Sequence, residues 1–201
     1  MGEGTRAMPM AEVTEFPVLT TDRLLLRAVT PQDAEPFRAL LATPGVTEFS
    51  NWPDDPTMEQ GREFAQMMAG AFSHGLGCSW IIEERQTAAF VGAVRFNYFM
   101  REWSCAGVGY EIHPTFWGRG VMTEAMRAVV VCGHDRFGLH RMEGWTLLGN
   151  GASDRVLEKV GFRYEGTTRG RGWFKNAYHD ARWFGRVQGD PIGPPPSAAG
   201  L

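Results

Sequence analysis

A turn with two glycines at residues 117–120 constrains the fold of this chain more than any other feature. A stretch of alternating apolar and small or ionisable residues ends at Pro114, Gly118 and Gly120 follow, and a helical pattern begins directly afterwards. Glycine allows positive φ and close backbone approach, and a helix start leaves unpaired N–H groups beside about half a positive charge. We therefore predict a turn whose backbone amides bind a pyrophosphate, with Arg119 adding a charge at the rim.

The same turn differs from two common nucleotide-binding motifs. No Gly-Lys-Ser/Thr sequence ends it, which excludes a Walker loop. The third glycine of the dinucleotide fingerprint is missing, and the preceding strand belongs to a meander rather than to a βαβ unit. A plain glycine turn between two elements remains the alternative on local sequence alone.

Hydrophobic periodicity around the turn predicts a sheet covered by helices. Alternating or continuous apolar stretches predict strands at residues 24–29, 78–83, 89–99, 104–113, 140–147, 162–168 and 178–187. Helical spacing and capping signals, such as Thr57 with Gln60, predict helices at residues 31–43, 57–74, 120–135 and 153–160. We expect an α/β (α+β) fold: a mixed, mostly antiparallel, twisted sheet of about seven strands flanked by about four helices.

The length of 201 residues, 43% of them hydrophobic, suits one domain with a full core. The first residues lack periodicity, and the last ones are dominated by Gly, Pro, Ser and Ala, which bury too little surface to order themselves. We expect a flexible N-terminal segment at residues 1–15, one folded domain at residues 16–187 and a disordered tail at residues 188–201.

Charge and cysteine usage narrow the range of partners. The formal net charge is -3 with both signs interspersed, so we expect no nucleic-acid partner and no membrane partner. Cys78, Cys105 and Cys132 lie far apart without a CxxC motif, so we expect neither a disulfide framework nor a metal site. No apolar run approaches the roughly 18 residues of a spanning helix. These features predict a cytoplasmic location.

Four segments, in their order along the chain, resemble the GNAT superfamily of N-acetyltransferases, in its RimJ/RimL-like branch of ribosomal-protein N-terminal acetyltransferases. Residues 115–120 resemble the Arg/Gln-x-x-Gly-x-Gly/Ala acyl-CoA signature, although Thr115 replaces the usual Arg or Gln. The other segments resemble the opening strand, the fourth strand and the Asn-x-x-Ser to Gly-Phe block of that branch: Thr21-Asp22-Arg23-Leu24-Leu25-Leu26-Arg27, Gly107-Val108-Gly109-Tyr110-Glu111-Ile112-His113-Pro114 and Asn150-Gly151-Ala152-Ser153-Asp154-Arg155-Val156-Leu157-Glu158-Lys159-Val160-Gly161-Phe162. The resemblance covers nearly the whole predicted domain.

The resemblance implies acetyl-CoA as cosubstrate, bound between the fourth and fifth strands. Its pyrophosphate would lie on residues 117–122, its pantetheine would pair with the backbone near Ile112 and His113, and Asn150 would contact the pantetheine besides capping a helix. An N–H group near Ile112 would polarise the thioester carbonyl. The expected cofactor-binding residues are Ile112, His113, Trp117, Gly118, Arg119, Gly120, Val121, Met122, Thr123, Asn150 and Ser153.

Direct attack by an amine is the implied reaction. The amine must be neutral, and a peptide α-amino group with a pKa near ~8 loses its proton more readily than a lysine at about 10.4. Glu111 is the first candidate for a base acting through water, and His113 is the second. The alternative role of Glu111 is an ion pair with a neighbouring arginine, and that of His113 is to end the strand. Ser153 is the candidate acid for the departing thiolate, because Leu157 replaces the tyrosine of many relatives.

Topology alone nominates Trp52, Asn97 and Tyr98 as acceptor-binding residues. A protein N-terminus, an antibiotic amine and a polyamine all stay open as acceptors.

A longer acyl donor is one alternative, and a non-catalytic acyl-CoA-binding or partner-binding module is another, although Glu111, His113 and Ser153 together favour an enzyme. Exposed edges of the late strands are compatible with a homodimer. Three tryptophans within predicted strands are expected in the core: Trp80, Trp145 and Trp183.

Overall fold

The computed structural model describes residues 10–193 of the chain, and within them lie eight strands and four α-helices. The strands are β1 (Leu19–Thr20), β2 (Leu24–Ala28), β3 (Cys78–Glu84), β4 (Phe90–Met100), β5 (Cys105–Ile112), β6 (Arg141–Leu147), β7 (Arg163–Phe174) and β8 (Ala177–Val187). The helices are α1 (Ala34–Leu41), α2 (Met58–Ser73), α3 (Val121–Asp135) and α4 (Gly151–Lys159).

All eight strands form one mixed sheet in the order β1-β2-β3-β4-β5-β6-β8-β7. Neighbouring strands run antiparallel except β5 and β6, which are parallel. This confirms the predicted mixed, mostly antiparallel α/β fold. The additional strand is β1, where Leu19 pairs with Leu26, and its two residues are too short to produce a hydrophobic period.

Helices cover both faces of the sheet. On one face α3 buries Val121, Met122, Ala125 and Met126 against the sheet, as its 3.6-residue period predicts. On the other face α1 and α2 enclose a second cluster that includes Phe37 and the strand residues Ile81 and Ala93. None of the helices in the described part of the chain is long and apolar enough to cross a membrane.

The capping box predicted for the second helix is present. The amide of Gln60 donates to Thr57 Oγ1 at 3.2 Å, and the Gln60 side chain accepts from the Thr57 amide at 2.9 Å. Two N–H groups at the helix start are therefore satisfied by local side chains, which is why α2 begins at Met58.

The β7–β8 hairpin is longer than predicted and reaches across the molecule. β7 extends to Phe174, past the predicted end at residue 168. Most of its residues are exposed, so its sequence shows no apolar period from which this length could be predicted. At the tip, Lys175 and Asn176 both have positive φ, which is typical of a two-residue hairpin turn. Lys175 Nζ donates to the carbonyl of Thr47 at 2.7 Å and pairs with Asp54, tying the hairpin to the α1–α2 loop. The homodimer expected at these strand edges stays a prediction.

Packed residues lie beyond both predicted limits of the domain. Met10 is buried and the amide of Ala11 donates to the carbonyl of Phe137 at 2.8 Å, so packed chain begins before the predicted limit of residue 16. Arg186 likewise holds the carbonyls of residues 190 and 191, beyond the predicted limit of 187. The rest of the predicted flexible ends, residues 1–9 and 194–201, lies outside the described residues. Trp80 is buried as expected, whereas Trp145 is exposed and Trp183 is only partly buried.

Candidate active site

A cleft opens where β5 and β6 separate. The two strands pair only from Cys105 to Gly107 on β5, and no pairing follows beyond that point within the described chain. The amide of His113 donates to Val91 of β4 at 2.9 Å, so the alternation of a strand turns the amides of Tyr110 and Ile112 away from β4 and into the cleft. The cleft therefore offers unpaired backbone donors between two strands.

The glycine turn lies at one end of this cleft. Gly118 and Gly120 adopt φ of +70° and +71°, and a Cβ atom on either would have no neighbour within 4 Å. The first hydrogen bond after the turn runs from the Glu124 amide to the carbonyl of Gly120 at 3.0 Å. Among the described residues, none accepts a hydrogen bond from the amides of residues 118–123. Such a row of free donors at a helix start binds phosphate groups.

Side chains from the β1–β2 connection fix the position of this turn. Thr21 Oγ1 donates to Glu124 Oε1 at 2.5 Å, and Arg23 Nε donates to Oε2 at 2.7 Å. A second nitrogen of Arg23 reaches the carbonyl of Arg119 at 3.2 Å. Burial alone raises the pKa of Glu124, but the bonds from Thr21 and Arg23 outweigh it and hold the pKa below its usual value.

Trp117 connects the turn to β5. Its indole Nε1 donates to the carbonyl of Ile112 at 3.0 Å, which agrees with that carbonyl facing the cleft. The ring is half exposed and lies close to Gly45 of the α1–α2 loop. Trp117 therefore forms part of the wall between the turn and that loop.

The start of α4 forms the opposite wall of the cleft. Asn150 Oδ1 accepts a hydrogen bond from the Ser153 amide at 3.2 Å, which confirms the N-cap expected for Asn150. The hydroxyl of Tyr110 donates to the carbonyl of Ser153 at 3.2 Å. Burial raises the pKa of Tyr110, so this hydroxyl stays protonated.

Glu111 projects from the other face of β5 into a buried ion pair. Arg95 donates from one terminal nitrogen to Oε2 and from the other to Oε1, both at 2.6 Å, and Trp52 Nε1 donates to Oε1 at 2.7 Å. The Arg95 and Glu111 side chains are only 11% and 6% exposed. Oε1 thus accepts two hydrogen bonds and Oε2 accepts one, so Oε2 keeps one acceptor position.

Two cavities meet in the cleft. A cavity of about 410 Å³ extends to the glycine turn, and one of about 540 Å³ extends between α2 and β5; we call them the turn cavity and the α2 cavity. Six residues line both cavities: Phe49, Ser50, Tyr110, Glu111, Asn150 and Ser153. Any group held where the cavities join is within reach of the Glu111 and Ser153 side chains.

Most of the predicted site residues line one of these cavities. The turn cavity is lined by Ile112, Trp117, Gly118, Gly120, Val121, Met122 and Thr123, besides the shared Asn150 and Ser153. The α2 cavity is lined by the three acceptor candidates Trp52, Asn97 and Tyr98. Two predicted residues line neither cavity. The His113 ring instead accepts the Thr115 amide at 3.3 Å, and Arg119 is exposed beside the Phe116 ring.

The residues that sequence reasoning missed are Arg95, Tyr110, Phe49 and Ser50. Arg95 carried a usable signal, because it is a single charge inside the apolar stretch of β4 and such a charge needs a partner. Phe49 and Ser50 carried none, since they belong to an irregular loop whose path is set by tertiary contacts.

Comparison with known proteins agrees with this geometry. The family model described as an acetyltransferase (GNAT) domain matches residues 23–163. A relative, the uncharacterized N-acetyltransferase YoaA of Bacillus subtilis (strain 168), is 36% identical over 154 residues, which are 77% of this chain and 87% of that protein.

Two solved structures share the fold. RimL, a ribosomal L7/L12 alpha-N-protein acetyltransferase in complex with coenzyme A, superposes with a TM-score of 0.79 at 20% identity, covering 85% of this chain and 98% of that one. The microcin C7 self immunity acetyltransferase MccE, in complex with acetyl-CoA and AMP, gives a TM-score of 0.76 at 18% identity, covering 84% of this chain and 94% of that one.

Proposed function

The chain belongs to the GNAT acetyltransferase family, and from this premise we propose how it binds acetyl-CoA and which amine it acetylates. Its activity is the acetyl-CoA-dependent N-acetylation of an amine. The observation that carries the proposal is the row of unpaired amides at residues 118–123, which faces a cavity joined to Glu111 and Ser153.

The residues of the turn cavity fit the donor. Unpaired amides and two glycines with positive φ leave open space at a helix start, and this combination suits a pyrophosphate. The amide of Ile112 faces the cleft and is placed to donate to a thioester carbonyl oxygen. Asn150 and Ser153 line the stretch between these two points. When bound, acetyl-CoA supplies the activated acetyl group.

The α2 cavity then receives the acceptor amine. The amine nitrogen forms the new C–N bond while the C–S bond of the thioester breaks. Its proton passes through water to the free acceptor position on Oε2 of Glu111. Ser153 Oγ donates a proton to the sulfur and takes one back from solvent, so the serine hydroxyl is restored. His113 has no part in this proposal, because its ring lines neither cavity.

Only a neutral amine attacks the thioester, so the pKa of the acceptor decides how much of it is reactive at pH 7. An α-amine with a pKa near ~8 is partly neutral at pH 7, whereas a lysine side chain near ~10.4 is not. We therefore propose an α-amine, of a polypeptide or of a small molecule, as acceptor.

The three cysteines are free and buried, which supports the predicted cytoplasmic location.

Two measurements test this function. Titration of coenzyme A followed by calorimetry is expected to give saturable heat, and release of free thiol from acetyl-CoA is expected with peptides but not with lysine side chains. A protein that binds coenzyme A and releases no thiol with peptides, polyamines or aminoglycosides is a binding module instead. Absence of any heat contradicts the donor site itself.

A further inference from the structure

The α2 cavity has almost no free charge. Its charged lining consists of Arg95 and Glu111 alone, and these two side chains neutralise each other through the bidentate pair. Two further carboxylates outside the lining accept hydrogen bonds from lining residues: Glu143 from Tyr98 at 2.7 Å and Asp154 from Thr146 at 2.6 Å. Each is already paired with an arginine, Glu143 with Arg141 and Asp154 with Arg182.

The rest of the wall is uncharged, and its α2 side is apolar. On α2, Phe64, Met67, Met68 and Ala71 line the cavity, and Trp145 of β6 lies across from them. Met67 is 57% exposed, so an apolar, adaptable side chain stands at the mouth of the cavity rather than in the core. The apolar α2 side of this cavity suits the part of an acceptor beside its amine.

The cavity leaves a second cation of the acceptor without a partner. Moving such a cation out of water costs free energy unless a carboxylate pairs with it, and the two charged groups here are already paired. An apolar group loses nothing in the same place and gains contacts with methionine and aromatic side chains. The absence of free charge and the apolar α2 side of the cavity therefore both favour an uncharged, apolar group beside the amine of the acceptor.

From these observations we infer that the acceptor is an α-amine whose neighbouring group is uncharged and apolar. The inference rests on the proposed function and names its substrate class. Polyamines and aminoglycosides, which carry several cations, are excluded by it. The apolar group belongs either to a free small molecule or to the first residue of a polypeptide.

Amino-acid amides provide matched probes, because their α-amines have similar pKa values and only the side chain differs. We expect kcat/KM for leucinamide to exceed that for α-acetylation of lysinamide by at least about tenfold, the scale on which a pocket discriminates apolar groups. Equal values, or a preference for lysinamide, would overturn the inference. A protein that binds no coenzyme A contradicts the proposed function instead.

Two variants of α2 form a matched pair. Met67→Glu places a carboxylate at the cavity mouth and is expected to reduce the leucinamide-to-lysinamide ratio at least tenfold. Met58→Glu makes the same change at a methionine on the same helix, 39% exposed and outside the cavity, and is expected to leave the ratio unaltered. Equal effects of the two variants contradict the inference.

A peptide arm identifies the source of the apolar group. A leucine-initiated pentapeptide is compared with leucinamide at the same concentration. A higher kcat/KM for the peptide supports the inference with a polypeptide N-terminus as acceptor, and a higher value for the amide supports it with a small molecule. Failure of both probes, while lysinamide reacts, overturns it.

Discussion

Arg95 holds the carboxylate of Glu111 with both terminal nitrogens at 2.6 Å, in a pair that solvent barely reaches. The Arg95 Nε also donates to Asn97 Oδ1 at 2.7 Å, and its guanidinium lies over the Trp52 ring at 5.4 Å. One arginine therefore orients Glu111 and two of the acceptor candidates. The Arg95–Glu111 pair therefore organises this side of the cleft.

Glu111→Gln is expected to lower the free energy of unfolding by about 3 kcal/mol, because Arg95 is left buried without a countercharge. The double variant Arg95→Met with Glu111→Leu is expected to recover most of this loss, since an apolar pair of similar volume avoids the desolvation of charges. Urea denaturation measures both. If the double variant is no more stable than Glu111→Gln, the loss of stability does not come from an unpaired buried Arg95.

The rate of the Glu111→Gln variant is expected to fall most below pH ~8, where the α-amine is largely protonated and needs a proton acceptor. At higher pH the amine is already neutral and the difference from the native rate is expected to shrink. Thiol release measured from pH 6 to 9 provides the profile. Parallel profiles for the two proteins would remove Glu111 from proton transfer.

Gly118→Ala is expected to weaken coenzyme A binding by about tenfold, or ~1.4 kcal/mol. Alanine disfavours the φ of +70°, so the turn shifts and its amides lose their alignment. Gly170→Ala is the control, because Gly170 has φ of +58°, equally open space and no contact with either cavity. Calorimetry is expected to give native affinity for this control, and equal weakening of both would reject the binding role.

Ser153→Ala is expected to lower kcat by about tenfold to a hundredfold, at the low end of general acid catalysis, because a thiolate leaves with little help. The N-cap bond should persist, since it uses the Ser153 amide rather than the hydroxyl. The melting temperature is therefore expected to stay native. Full turnover in the variant would assign Ser153 a purely structural place.

Glu124→Gln is expected to remove an acid-sensitive part of the stability. The folded-state pKa of Glu124 is lowered, so the native carboxylate stabilises the fold above its unfolded pKa of about 4.3 and loses this effect as pH falls through the folded value. The native protein should therefore be more stable than the variant by about 0.5–1 kcal/mol at pH 7 and equally stable near pH ~2. Urea denaturation across this range checks the sign, and a constant difference would contradict it.

Local chemistry explains why the glycine turn and the helix starts were predictable. The turn at Gly118 and Gly120, the capping box of Thr57 and the N-cap of Asn150 each depend on residues within a few positions along the chain. The periods of the strands and helices likewise predicted the mixed sheet. Hydrophobic periods did not predict β1 or the outer half of β7, because β1 is very short and the outer half of β7 is exposed.

The sequence by itself thus determined the fold class, the glycine turn and the start of α4. Only the tertiary structure decided what the acceptor side looks like. Glu111 meets Arg95 and Trp52 across 16 and 59 residues of chain, and Lys175 meets Asp54 across 121. Such pairs follow from strand register and from the path of the α1–α2 loop, which no local pattern encodes. Trp145 was misplaced for the same reason, because its neighbours in the α2 cavity come from distant segments.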